Sequence, residues 1–237
     1  MTLTRREVLA AGAAAALTRR GPSPVARSTG VTVLFQGDSI TDCGRDRSVA
    51  AANDSGALAT GYPLLVASSL LRLYPERALR FFNRGNSGNK VPDLQARWQQ
   101  DALDLKPDIV SILVGVNDIW HHLLNGYTGT VQDYETQYAA LLEQTRAALP
   151  GVRLVVLEPF VLRTGAVTAA WFPEFDQRRA AAERVSRAAG ATWLPLHGMF
   201  ERLVRRASPE YWAADGVHPT PAGHGAIAQL WTQTVRL

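Results

Sequence analysis

The run Asp108-Ile109-Val110-Ser111-Ile112-Leu113-Val114-Gly115 decides the fold. It is short, apolar and rich in β-branched residues, without polar alternation, which is how a strand buried on both faces reads. Working outward, similar runs occur at Val31–Gln36, Leu79–Asn83, Arg153–Leu157 and Ala191–Leu196. Helical periodicity fills the intervals. It runs over Tyr62–Leu73 before Pro75, Asp93–Lys106 before Pro107, and Tyr134–Leu149 before Pro150-Gly151. It returns over Glu174–Ala189 before Gly190, and over Ala222–Val235. Strand and helix alternating at this spacing predict an α/β fold, a five-stranded parallel sheet with helices on both faces.

Such sheets bind ligands outside the carboxyl ends of their strands, and that is where the polar clusters fall. Gly37-Asp38-Ser39 follows the first strand and Asn86-Ser87-Gly88-Asn89 the second. Gly115-Val116-Asn117-Asp118 follows the third, and Asp215-Gly216-Val217-His218-Pro219 precedes the last helix. A serine hydroxyl needs a base to become a nucleophile. Asp215 and His218, three residues apart, allow the carboxylate to hold one imidazole nitrogen and turn the other toward Ser39. The pattern predicts Ser39 as nucleophile, His218 as base and Asp215 as its orienting acid. The developing oxyanion needs donors, and the backbone N–H groups of Ser39 and Gly88 with the Asn117 amide are the candidates. Gly88 suits that role because a residue without Cβ lets substrate approach the backbone.

No Gly-x-Ser-x-Gly pentapeptide occurs, so the nucleophile elbow of the α/β-hydrolases is missing. The order Ser, Gly, Asn and Asp-x-x-His instead resembles the GDSL or SGNH hydrolase superfamily, in four blocks spread over residues 31–237. That resemblance implies a flavodoxin-like three-layer α/β/α sandwich and an acyl-enzyme intermediate on Ser39. It narrows with Phe35–Arg45, Asn83–Asn89, Asp93–Trp98 and Gly115–Trp120, which look like bacterial SGNH acetylxylan esterases. Deacetylation of xylan or xylo-oligosaccharides is what this likeness implies; the residue spacing by itself gives ester hydrolysis. Where those enzymes usually carry an aliphatic residue before Ser87, this chain has Asn86, a departure that bears on loop packing.

Other candidates carry weaker signals. Asp38 and Asp118 are expected to hold loops by hydrogen bonds. Trp120 is a candidate sugar-stacking residue, and Tyr211 and Trp212 are candidates for the acyl pocket, with core packing the competing reading for all three. His121, His122, His197 and His224 read as surface or helix-face residues, and Cys43 as a small residue packed near a turn. The segments Asp42–Gly61 and His121–Val131 read as loops, rich in Gly, Ala, Asn and Asp. They favour a short acyl group over the lysophospholipase or thioesterase alternative, which needs an apolar channel. A non-catalytic carbohydrate-binding protein on an esterase scaffold is the alternative of another class. It normally requires a lost catalytic residue, and none is lost.

Composition removes further classes. The net charge is +4. Residues 1–30 hold Arg5, Arg6, Arg19, Arg20 and Arg27 against Glu7, which leaves 20 basic and 20 acidic residues in the remainder. A nucleic-acid partner would need its basic excess on the folded body. Cys43 is the sole cysteine, so neither an intrachain disulfide nor a thiolate metal cluster can form. No metal or cofactor is expected, and a homo-oligomer is left open. Thr4-Arg5-Arg6-Glu7-Val8-Leu9, followed by an apolar stretch to Leu17, resembles a twin-arginine export signal. It is too short and alanine-rich to span a bilayer. The chain therefore divides into an export signal with linker, residues 1–30, and a catalytic domain, residues 31–237. A chain beginning at Ser28 should hydrolyse ester as well as the full-length protein and unfold at the same temperature. A large fall in melting temperature would show that the leader packs on the domain.

Overall fold

A computed structural model describes residues 30–237; residues 1–29, on which the export-signal expectation falls, lie outside the described part. The strands are β1 (Thr32–Gly37), β2 (Arg80–Asn83), β3 (Ile109–Leu113), β4 (Arg153–Leu157) and β5 (Thr192–Leu194). They form one sheet in the order β2-β1-β3-β4-β5, with every pair parallel. Helices of eight residues or more are α1 (Tyr62–Leu73), α2 (Val91–Asp101), α3 (Val116–Leu124), α4 (Val131–Ala148), α5 (Glu174–Ala188), α6 (Leu196–Leu203) and α7 (Pro221–Thr234).

The strands point alternate side chains into two cores, as the two-residue period of a strand requires. Val33, Phe35, Ile109 and Leu113 face one side, where Tyr62, Val66 and Leu70 of α1 and Ile227 and Trp231 of α7 cover them. Leu34, Val110, Ile112, Leu154 and Val156 face the other, under Leu94 and Trp98 of α2, Tyr138 and Leu141 of α4, and Ala181 and Val185 of α5. The result is the expected three-layer α/β/α sandwich. Among the described residues no helix is long and apolar enough to cross a membrane.

The element boundaries differ from expectation where local capping decides them. α2 starts at Val91 rather than Asp93, because Pro92 is accepted in the first turn and the Asp93 carboxylate takes the Lys90 N–H at 2.8 Å. α4 starts at Val131, because Thr130 and Asp133 close a reciprocal cap. α3 and α6 were not expected at all. Both leave a strand almost directly, and neither opens on a side-chain cap.

Ser111 is the one polar residue of β3, and it is fully buried. The indole N–H of Trp231 donates to its Oγ at 3.0 Å, tying α7 to the middle of the sheet. Ser111→Ala would strand that buried donor, so the expected cost is about 1–3 kcal/mol in urea-unfolding stability. A loss below a few tenths would show that the indole finds another partner.

Candidate active site

The first block is shaped by the end of β1. Gly37 has φ 155°, and a Cβ there would stand 2.2 Å from the Leu113 carbonyl oxygen of β3, so only glycine fits. The chain then turns sharply. Asp38 caps the one-turn helix Ser39–Asp42, its Oδ1 accepting the Ile40 N–H at 3.0 Å. Ser39 is the first residue of that turn, half-buried at the sheet edge.

The last block arrives from the opposite end of the chain. Ser39 Oγ lies 2.9 Å from His218 Nε2 across 179 residues, and His218 Nδ1 lies 2.6 Å from Asp215 Oδ2. The other Asp215 oxygen accepts the N–H groups of Val217 at 2.9 Å and His218 at 2.7 Å. Burial alone would raise the Asp215 pKa, but these hydrogen bonds and the facing imidazole outweigh it and hold the carboxyl below its usual range. With Asp215 anionic, Nδ1 carries the proton and Nε2 presents a lone pair to Ser39. The Asp215 loop is held by the segment after β4: Leu162 N–H donates to Gly216 O at 2.8 Å, and Ala166 N–H to Asp215 O at 2.9 Å. Gly216, at φ 86°, has Thr164 O only 2.4 Å from where a Cβ would be.

Blocks two and three supply the donors. Asn117 lies in the first turn of α3, and its Nδ2 donates one hydrogen to Asn89 O at 3.2 Å, which leaves the second for a ligand. Gly88 has φ 81°. The N–H groups of Ser39 and Gly88 donate to no protein group among the described residues. Residues that sequence reasoning quoted without a role hold these groups in place. Asp42 Oδ2 accepts both the Ser87 N–H at 2.9 Å and its hydroxyl at 2.8 Å, and pairs with Arg47 at 2.6 Å. Arg97 reaches from α2 to Asn89 Oδ1 at 2.8 Å and Arg84 O at 2.8 Å. Asn83 joins the two blocks, donating to Thr41 O at 2.7 Å and accepting from Gly85 N–H at 2.9 Å. The signal was present: polar residues at fixed places in otherwise tight turns.

The five residues named for catalysis and the oxyanion therefore meet, Ser39 serving in both sets. Ser39, Gly88, Asn117 and His218 line a cleft of about 290 Å³ together with Ser87, Trp120, His121 and Asn125, and Asp215 stands behind His218. A larger hollow, about 500 Å³ by Asp108 and Pro150, lies at the opposite end of the strands, remote from Ser39. Trp120 stands in the cleft, its ring 5.9 Å from that of His218. Tyr211 and Trp212 do not reach it. Their turn, Pro209–Trp212, directs Tyr211 to solvent and packs Trp212 on the core, while their carbonyls anchor Thr220 at the start of α7. The surface reading fits His122, which is exposed, but not His224, which is buried and accepts the Tyr62 N–H at Nδ1. Burial, with the nearby His218 charge, pushes His224 down to about 4. Cys43 sits beside it, Sγ 3.5 Å from Nε2, as the residue closing the Ser39 turn. His121 lines the cleft, and His121–Leu124 belong to α3 rather than to a loop.

Residues 35–226 match the GDSL-like lipase/acylhydrolase family. An acetylxylan esterase of Geobacillus stearothermophilus is 32% identical over 211 residues, which cover 87% of this chain and 94% of that protein. The crystal structure of an acetylxylan esterase from the same species superposes with a TM-score of 0.79 at 31% identity, covering 89% of this chain and 96% of the other. A GDSL-like protein from Parabacteroides merdae superposes with a TM-score of 0.84 at 42% identity, covering 86% and 94%.

Two carboxyls of the site are not exposed to solvent. Asp38 and Asp118 are buried, and each leaves one oxygen without a partner among the described residues. Burial pushes each up to about 7, and at Asp38 the neighbouring Asp118 charge adds to it. The folded protein thus keeps protons that the unfolded chain releases near 3.8. Stability from this source is fully present below that value and is lost as pH rises through about 7. The slope is roughly 1.4 kcal/mol per pH step and per group while the proton is held only in the folded state. Asp118→Asn keeps the acceptor for the Val91 N–H and should flatten the pH 5–7 decline in urea-unfolding stability. A slope equal to wild type would show that Asp118 ionises normally.

Proposed function

The chain belongs to the GDSL-like lipase/acylhydrolase family and is a carboxylic ester hydrolase; from that premise we propose that it removes acetyl groups from xylan or xylo-oligosaccharides through a Ser39–His218–Asp215 triad. The observation that carries the reading is the relay itself: Oγ to Nε2 at 2.9 Å and Nδ1 to carboxylate at 2.6 Å, beside three convergent donors. His218 takes the Ser39 proton as Oγ attacks the ester carbonyl, and Asp215 stabilises the imidazolium that forms. The tetrahedral oxyanion is met by the N–H groups of Ser39 and Gly88 and the free hydrogen of Asn117 Nδ2. His218 then gives its proton to the departing sugar hydroxyl, leaving an acetyl ester on Ser39. Water, deprotonated by the same imidazole, releases acetate and restores the hydroxyl.

Size supports the short acyl group. A cleft of about 290 Å³ that must hold the reacting centre suits a short acyl group better than a long chain. Trp120 at the rim offers a flat apolar face for a pyranose ring. The relatives named for acetylxylan support the same substrate. We read residues 1–30 as the export address that delivers residues 31–237 to it.

Ser39→Ala should remove ester hydrolysis; a folded variant keeping more than about a hundredth of wild-type turnover would refute the nucleophile. kcat/KM on p-nitrophenyl acetate should rise with pH through one ionisation, that of the base. Asn117→Ala should lower kcat by about 10²–10³ without moving the midpoint. Asp215→Asn should lower the rate and move the midpoint downward, because no carboxylate then favours the charged imidazole. A profile overlaying the wild-type curve would reduce the triad to a Ser39–His218 dyad.

A further inference from the structure

α3 carries more of the site than its oxyanion donor. Asn117, Trp120 and His121 stand at i, i+3 and i+4, so they share one face of the helix. That face meets the cleft with Asn117 between two walls. On one side Trp120 lies against His218, ring centroids 5.9 Å apart, and against Trp171 at 5.6 Å. On the other, His121 Cε1 lies 3.8 Å from the point where a Cβ on Gly88 would be, and Asn125 follows one turn on at the helix end.

The chemistry assigns an occupant to each wall. In the tetrahedral intermediate the ester carbon bears Ser39 Oγ, the oxyanion, the alcohol oxygen and the acyl carbon. The oxyanion faces Ser39, Gly88 and Asn117. The alcohol oxygen must face His218 Nε2 to receive its proton, which places the alcohol along Trp120. The acyl carbon is left pointing away from His218, toward the second wall. We infer that His121, with Asn125 beside it, forms the acyl end of the cleft and limits the acyl group to about the size of acetyl. This rests on the serine-esterase reading above and adds the residues that set its acyl specificity. His121 is suited to an apolar neighbour, since burial and the nearby Lys90 charge lower its proton affinity and keep the ring neutral. Its neighbour His122 is the ring that contacts Tyr127 O and faces Glu174, and among the described residues the His121 side chain has no such partner, so bulk and not a network gives the wall its reach.

The test is the ratio of kcat/KM for p-nitrophenyl butyrate to that for p-nitrophenyl acetate. His121→Ala should raise it about tenfold or more, the usual scale for pocket space of one or two methylenes. His121→Phe keeps the bulk and should hold the ratio within about threefold of wild type. Asn125→Ala, at an exposed position, should raise it in the same direction as His121→Ala. Trp120→Ala should leave the ratio alone and instead lower turnover of acetylated xylo-oligosaccharide relative to p-nitrophenyl acetate. An unchanged ratio in active His121→Ala and Asn125→Ala enzymes would overturn the assignment, as would a rise in Trp120→Ala in their place. Turnover surviving in Ser39→Ala would overturn the nucleophile beneath it, so the two failures are told apart.

Discussion

The site depends on how closely β1 and β3 approach at their carboxyl ends. Gly37 pairs with Leu113, and a methyl group at Gly37 would overlap the Leu113 carbonyl and the Thr41 hydroxyl. Because nothing stands between the strands there, the turn that carries Ser39 starts level with the end of β3, and α3 starts only a few residues further on. Ser39 and Asn117 are thereby neighbours before any side-chain contact is made. The remaining groups are brought to that fixed pair: Gly88 because its neighbour Ser87 donates to Asp42 and Arg97 donates to its neighbour Asn89, and His218 by the Asp215 carboxylate.

This arrangement separates rigid from expensive parts. The cores on the two faces of the sheet are apolar, but the carboxyl edge holds buried Asp38 and Asp118 with raised proton affinity. Desolvating two acids beside Ser39 costs stability that an apolar edge would keep. Their hydrogen bonds to Ile40 and Val91 N–H show part of what is obtained: the Ser39 turn and the start of α2 are held by acceptors with no side-chain freedom left.

Much of this was legible in the sequence. Strands buried on both faces read as unbroken apolar runs, and the sheet they predicted is the one found. Ser39, Gly88, Asn117, Asp215 and His218 were legible because each follows a strand or precedes a helix in a short, unusual word. What sequence reading missed has physical reasons. α3 opens from Gly115 with no capping side chain, and its polar face of Asn117, His121 and Asn125 has the composition of a loop. Tyr211 and Trp212 precede Asp215 by only a few residues, yet a helical turn ending at Trp212 faces them elsewhere. His224 lies between Gly223 and Gly225, where no apolar periodicity announces burial; its place under Tyr62 comes from α7 packing on α1.

The shared face of α3 also acts as a lever. Val116 and Ile119 anchor the helix in the core, while Asn117, Trp120 and His121 project from it into the cleft. With side-chain tips about 6 Å from a helix axis, a roll of ten degrees swings them by about 1 Å. A displacement of that size is enough to cost about a hundredfold in a positioned reaction. A change in packing at Val116 or Ile119 would thus move Asn117, Trp120 and His121 as one body. With the roles proposed for Asn117, Trp120 and His121, rate and substrate preference are mechanically coupled through this helix, and a sequence drifting in its core would not alter one without the other.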